Sequence, residues 1–224
     1  MMKLTEIQNK AIALFANSQL KDKFYWTGGT LLAVYYFQHR FSTDLDFFSE
    51  KPFTFDEINS YIQNLKESTH QNIVYNRIYD RHEFLFEGKE PLRIEFVLFN
   101  HEKKTLKSRQ QYLGIYIDSL EDIAANKVIA LMDRKEPKDL FDLYFIFTKA
   151  QIAISQLLQM VEQKFGLKIS ESMFWSQSMV VLPNLKTLQP LIISDSDNQK
   201  TELLNEIDTF FKNKSREFLN KNLI

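Results

Sequence analysis

Asp44 and Asp46 are the residues of this sequence best placed to do chemistry. They lie in Arg40-Phe41-Ser42-Thr43-Asp44-Leu45-Asp46-Phe47-Phe48, where Leu45 to Phe48 reads as a strand closed by Pro52. Alternate residues of a strand face the same way, so the two carboxylates project together. Held ~4 Å apart they repel by roughly 4 kcal/mol at an effective dielectric of about 20. Beside a Leu-Phe-Phe core that repulsion calls for a counter-charge. A divalent cation supplies one: Mg²⁺ (or Mn²⁺) takes oxygen ligands, commonly one or two carboxylates plus substrate phosphates. A solvated strand edge is the plain alternative, and Asp suits it poorly.

Glu95 offers a third carboxylate. In Leu92-Arg93-Ile94-Glu95-Phe96-Val97-Leu98 the alternation puts Ile94, Phe96 and Leu98 on one face and Arg93, Glu95 and Val97 on the other. Glu95 can complete a metal site with Asp44 and Asp46, or serve as a base, or pair with Arg93 or a cross-strand Lys; the sequence leaves these open. Upstream, two of the five glycines are adjacent, Gly28 and Gly29. They sit between Tyr25-Trp26-Thr27, which reads as a strand, and a helix from about Thr30 through Phe37. Free backbone N–H groups at such a turn suit a phosphate, and glycine lets it approach. A plain strand-to-helix turn would look the same.

The elements that position these residues follow from periodicity. Leu4, Ile7, Ala11, Leu14 and Phe15 recur at helical spacing over 4–20. Asp56 is the expected cap of a helix over 57–67. From Asn72 to Asn100 the chain reads as β, with strand cores at 73–75 and 84–86, a turn at Glu87-Gly88-Lys89, and Leu92 to Phe99 returning. Tyr112 to Ile117 reads as one more strand. Beyond Ser119 the pattern is helical: 120–134, 138–149, 151–165, 200–221, and another after Ser170. The expected organisation is an α/β half over 1–118 and a helical half over 119–224.

With 224 residues, 44% hydrophobic and 25% charged, the chain has an ordinary globular composition, and 20 Phe and 9 Tyr argue against disorder. A formal net charge of −1 gives no global attraction for nucleic acid or membrane. No Cys occurs, which excludes disulfides and thiolate-bound metals. The opening Met1-Met2-Lys3-Leu4-Thr5-Glu6 turns polar too early for a secretory leader, and no apolar run approaches the ~20 residues of a membrane span. A cytoplasmic protein without membrane contact is expected.

Tyr25-Trp26-Thr27-Gly28-Gly29-Thr30-Leu31-Leu32-Ala33, followed by His39 to Phe48, resembles the AbiEii/AbiGii nucleotidyltransferase toxins. These belong to the polymerase-β-like nucleotidyltransferase superfamily, marked by a Gly-Gly or Gly-Ser turn followed by Asp-x-Asp. The fourteen residues between Gly29 and Asp44 are slightly long for the superfamily at large but suit this family. A second block, Ser119 to Leu131 leading into Arg134-Lys135-Glu136-Pro137-Lys138-Asp139-Leu140-Phe141-Asp142-Leu143-Tyr144, is similar to the family's lysine-bearing helix and the helix after it. Local physics agrees. Ser119 with Asp122 starts a helix, Lys127 and Arg134 share a face, Pro137 separates two helices, and Asp139 and Asp142 share a face.

The resemblance implies an α+β fold: a mixed sheet flanked by helices, then a C-terminal helical bundle. It implies a Mg²⁺-dependent nucleotidyltransferase (metal-binding, nucleotide-binding) that moves an NMP from an NTP to an acceptor hydroxyl. The implied metal ligands are Asp44, Asp46 and Glu95. The nucleotide would be held by Gly28, Gly29, Thr30, Arg40, Ser42, Lys127 and Asp139, with Lys127 on the phosphates and Asp142 positioning it or touching base or ribose. Arg40 pairs with Asp44 or a phosphate on this reading, and His39 packs. The implied setting is a bacterial toxin–antitoxin or phage abortive infection system, with a cognate antitoxin and with RNA, best the tRNA 3′ end, as acceptor. RNA contacts would fall on His101 to Arg109 or on Lys212, Lys214 and Lys221, although a charge run is more often a solvated loop. A nucleotide-binding interaction protein without transfer, or a transferase acting on a protein or small molecule, are the alternatives.

Overall fold

The computed structural model describes residues 4–222. Met1, Met2 and Lys3, part of the polar opening named above, lie outside those residues. The described residues pack as two compact units. One holds the chain up to Gln38 with Ser42–Glu102 and Lys107–Ser119; the other holds His39–Phe41, Lys103–Leu106 and the chain from Leu120 onward.

The first unit is built on strands β1 (Tyr25–Thr27), β2 (Leu45–Ser49), β3 (Asn72–Ile78), β4 (Arg81–Glu87), β5 (Leu92–Leu98), β6 (Gln110–Tyr112) and β7 (Ile115–Ile117). They form one mixed sheet in the order β3-β4-β5-β2-β1-β7-β6. The β2–β5 and β1–β7 pairs are parallel and the rest antiparallel. Helices α1 (Glu6–Ala16) and α3 (Phe55–Thr69) cover the apolar face. There Phe15 stacks on Phe47 with ring centroids 4.0 Å apart, and Tyr61 meets both Phe15 and Phe96 edge-on. Leu45, Phe47, Phe84, Phe86, Ile94 and Phe96 all point into this buried layer. Strand alternation therefore sends Asp44, Asp46, Arg93 and Glu95 to the opposite face.

Three local expectations are corrected. The cap of α3 is Thr54, not Asp56: its hydroxyl accepts from Glu57 N–H at 3.4 Å, and Glu57 Oε2 accepts from Thr54 N–H at 2.6 Å, a reciprocal capping box. The single strand expected over 112–117 is a hairpin, β6 to β7. Leu113 (φ 51°) and Gly114 (φ 81°) both take positive φ, as a two-residue turn of this kind requires. The helix after β1 begins at Gly28 rather than near Thr30. It opens as a single α turn, α2 (Gly28–Leu31), and continues as a π-helix over Leu32–Phe37.

The second unit contains α4 (Leu120–Arg134), α5 (Pro137–Thr148), α6 (Ile154–Phe165), α7 (Glu171–Val181) and α8 (Asp197–Asn222). Pro137 opens α5 where no intrahelical donor is needed. A 3₁₀ stretch over Leu182–Leu191, unforeseen from periodicity, joins α7 to α8. Pro183 and Pro190 explain it, since neither can donate to an α ladder. Val128, Leu131, Leu140, Phe141, Leu157, Val161, Phe174 and Phe211 form the core. Lys164 and Asp122 make a fully buried ion pair at 2.9 Å. Asp122 also accepts from Leu106 N–H at 3.0 Å, and Lys103 N–H donates to Lys164 O at 2.7 Å. The backbone of that part of the basic stretch is tied to helices at these two points, while Lys103, Lys104 and Lys107 keep exposed side chains, as in a solvated loop. The whole is an α+β fold, and among the described residues no helix is long and apolar enough to cross a membrane.

Candidate active site

The polar face of the sheet gathers the acidic residues by register. Asp46 pairs with Thr27 of β1 on one side and with Glu95 of β5 on the other, and Glu95 pairs with Glu83 of β4. Directly paired residues share a face, so these four make one row across the sheet. Asp44, just before β2, is hydrogen-bonded by the Arg93 guanidinium. Arg93 also lies 3.7 Å from Glu83 and 3.5 Å from Glu95, while Arg81 reaches Glu95 at 3.3 Å. Burial alone would lower the pKa of Arg93; the carboxylates of Asp44, Glu95 and Asp46 more than reverse this and raise it.

This geometry bears on a metal. Among the described residues no three His, Asp or Glu side chains converge closely enough to hold an ion alone. Asp44, just before β2, and Asp46 within it, both half-buried, fit a hard divalent cation that takes its other ligands from water and phosphates. Glu95 is buried, and both its oxygens already face arginines.

Gly28 lies directly against Asp46. Its φ is +81°, and a Cβ there would fall 1.9 Å from Asp46 Oδ2. The glycine is thus needed for room as well as for backbone freedom. Gly28→Ala is expected to cost about 1–2 kcal/mol in backbone strain and to push the Asp46 carboxylate aside. Displacement of a catalytic group by on the order of 1 Å lowers a rate about 10²-fold, and that is the loss of transfer expected if Asp46 is such a group; circular dichroism with a transfer assay on the variant checks it. Nearby, Thr30 Oγ1 donates to Ser42 Oγ at 2.8 Å, and Gln8 Nε2 donates to the Ser42 carbonyl at 3.2 Å. Thr27 Oγ1 donates to the buried Asp118 at 2.8 Å. Arg109 lies across the Tyr25 ring at 3.4 Å, donates to Asp118 and pairs with Glu50. Arg109, the end of the basic stretch, is therefore committed to its own unit.

The helical unit holds the other block. Lys127 Nζ sits 2.8 Å from Asp139 and 2.7 Å from Asp142, and Arg134 binds Asp139 at 2.7 and 2.8 Å. Arg40 donates to both Asp142 oxygens, at 2.7 and 2.9 Å, and His39 Nε2 lies 2.7 Å from Asp142 Oδ1. The expected pairing of Arg40 with Asp44 is corrected: the guanidinium grips Asp142, because residues 39–41 pack with the helices. Burial opposes ionisation of Asp142, yet Arg40 and Lys127 hold its carboxyl well below the usual range. Burial likewise works against the Lys127 ammonium, and Asp142 and Asp139 reverse that and raise it.

His39 is pushed down, first by burial and then by Arg40 and Lys127, against the pull of Asp142. Its folded pKa lies below the ordinary 6.5, so the unfolded chain binds the extra proton. The stability it confers is complete above about pH 6.5 and falls as pH drops below that value. His82 acts in the same direction, so the readout is a difference. Between pH 7.5 and 5.5 the Tm of the native chain is expected to fall further than that of His39→Gln, by thermal melts at both pH values.

A profile of the family described as "Nucleotidyl transferase AbiEii toxin, Type IV TA system" matches residues 12–218. The chain belongs to this AbiEii family. It is a nucleotidyltransferase of the toxin type, and a type IV toxin–antitoxin setting implies an antitoxin counterpart and an NTP substrate. An uncharacterised protein of Aquifex aeolicus is 28% identical to it, over 98% of this chain and 99% of that one. The crystal structure of JHP933 from Helicobacter pylori superposes with a TM-score of 0.56 at 19% identity, covering 98% of this chain and 97% of the other. A second H. pylori crystal structure, of a protein inferred to be a nucleotidyltransferase, gives 0.56 at 18%, covering 95% of each. These likenesses show a shared fold.

Within this AbiEii chain, register sets Asp46 and Glu95 side by side, and α4 and α5 gather Lys127, Asp139 and Asp142. Several supporting residues escaped the sequence: Gln8 behind Ser42, Asp118 behind Thr27, and Arg81 beside Glu95. Each is an ordinary polar residue whose partner lies far along the chain. On α8, Lys212 and Lys214 pair with Asp208 and Glu217 of their own helix.

Proposed function

We propose that this AbiEii nucleotidyltransferase moves an NMP from an NTP to a hydroxyl of RNA, best the tRNA 3′ end, with Mg²⁺ (or Mn²⁺) held by Asp44 and Asp46. The observation that carries this reading is Gly28 packed without a side chain against Asp46, with Asp44 two residues before it and both carboxylates acting on Arg93. A glycine kept in a left-handed conformation to seat a carboxylate serves placement of that group.

The acceptor oxygen attacks the α-phosphorus, the α–β anhydride bond breaks, pyrophosphate leaves, and the hydroxyl proton passes to water. A divalent cation on the aspartates supplies charge neutralisation for the triphosphate and its leaving group. Ser42, whose oxygen already accepts from Thr30, is left its own O–H to donate to a phosphate oxygen. Gly28 and Gly29 let phosphate come close to the backbone. Lys127 is held by Asp139 and Asp142 within the helical unit. Its cluster of Lys127, Arg40 and Arg134 against two aspartates is net positive, which suits an anion. Glu95 supports the site by anchoring Arg93 and Arg81. The cell setting we propose is a cytoplasmic toxin of a phage-defence pair, with its cognate antitoxin.

Incubation with Mg²⁺, each labelled NTP and total tRNA tests this. Label is expected on tRNA and is expected to vanish with Asp44→Ala. Label on protein or a small molecule instead would replace the acceptor. NTP binding without transfer to any acceptor would make the chain a nucleotide-binding interaction protein.

A further inference from the structure

We propose that Arg93 is a built-in competitor for the metal: its guanidinium holds Asp44 where a divalent cation would, and the cation gains Asp44 only by displacing it. This rests on the reading that Asp44 and Asp46 bind the metal. Three observations carry it.

First, Arg93 donates directly to Asp44 Oδ2, so that oxygen cannot serve guanidinium and cation at once without bringing like charges together. Second, Arg93 has somewhere else to go. Glu95 lies 3.5 Å and Glu83 3.7 Å from its Nη1, on the same sheet face by register. The guanidinium can therefore leave Asp44 and keep charged partners, and its side chain is 35% exposed, which leaves it room to swing. Third, charge matches. Asp44, Asp46, Glu83 and Glu95 face Arg81 and Arg93, a formal excess of two negative charges among these six side chains, the charge of one divalent ion. Arg81 holds Glu95, whereas Arg93 holds Asp44, so the competition is assigned to Arg93. In the absence of nucleotide the enzyme then binds metal weakly, and the affinity is set by a residue that is not a ligand.

The test is a Mn²⁺ titration of the full chain without nucleotide, read from the electron paramagnetic resonance signal of free Mn²⁺. Arg93→Gln is expected to bind Mn²⁺ about tenfold more tightly than the native chain. Arg93→Lys, which keeps the charge without the forked grip, is expected to tighten about threefold and guards against misfolding of the first variant. Arg81→Gln is expected to change affinity less than threefold. Equal or weaker binding in both Arg93 variants, or the same gain in Arg81→Gln, overturns the proposal. Asp44→Asn and Asp46→Asn separate the two layers. If they lose Mn²⁺ while the Arg93 variants gain nothing, only the competitor falls. If they bind Mn²⁺ like the native chain, the metal reading falls with it.

Discussion

Replacing Asp46 by Asn is expected to lower nucleotidyl transfer at least ~10³-fold while leaving the fold intact. Asn has nearly the shape of Asp, so it fits the space that Gly28 leaves open. What it lacks is the charge that, on the proposed reading, holds a divalent cation, and such a cation would supply several kcal/mol of transition-state stabilisation. A loss of about 4 kcal/mol corresponds to a rate decrease of about 10³. Growth arrest on expression in a bacterial host is expected to disappear with the same change. Transfer rates beside thermal melts read the result. A variant that keeps near-native transfer, or one that loses activity only by unfolding, would remove Asp46 from the chemistry.

Asp142→Ala is expected to destabilise the helical unit strongly, and more than Asp139→Ala. Its carboxylate is fully buried and receives Arg40, Lys127 and His39 together. Removing one partner of a buried ion pair costs about 3–5 kcal/mol, because the remaining charges stay buried without it. A fall in Tm of roughly 10 °C is expected at about 2–4 °C per kcal/mol for a chain of this size. Asp139→Ala should be milder. Arg134, one of its two partners, has a side chain 46% exposed and can turn to water. Melting curves of the two variants at pH 7 check the order, and equal losses would contradict the buried network as drawn.

How much of this was legible depends on the range of the interaction. Asp44-Leu45-Asp46 and Arg93-Ile94-Glu95 each announce a polar strand face by alternation, and the sheet obeys it. The α4 boundaries at 120 and 134 and the role of Pro137 followed from helix punctuation. Lys127, Arg134, Asp139 and Asp142 fell on faces that do meet. The partners across long sequence gaps were not legible: Arg40 binds Asp142 102 residues away, and only tertiary packing decides that. The same holds for Arg93 taking Asp44, which local reading offered to a metal. Thr54 was readable in principle, since Thr54-Phe55-Asp56-Glu57 is a capping-box signature, but Asp56 sits closer to the periodic run. The Leu113-Gly114 turn left too little strand on either side for a hairpin to show.

The most direct measurement of the central claim compares two labels on the same NTP, with Mg²⁺ and RNA. Label carried on the α-phosphate is expected to appear on the acceptor, and label carried on the γ-phosphate is expected to leave as pyrophosphate, both only with Asp44 and Asp46 intact. Transfer of the γ-label to the acceptor, or α-label transfer unchanged in Asp46→Asn, would contradict nucleotidyl transfer at this pair of carboxylates.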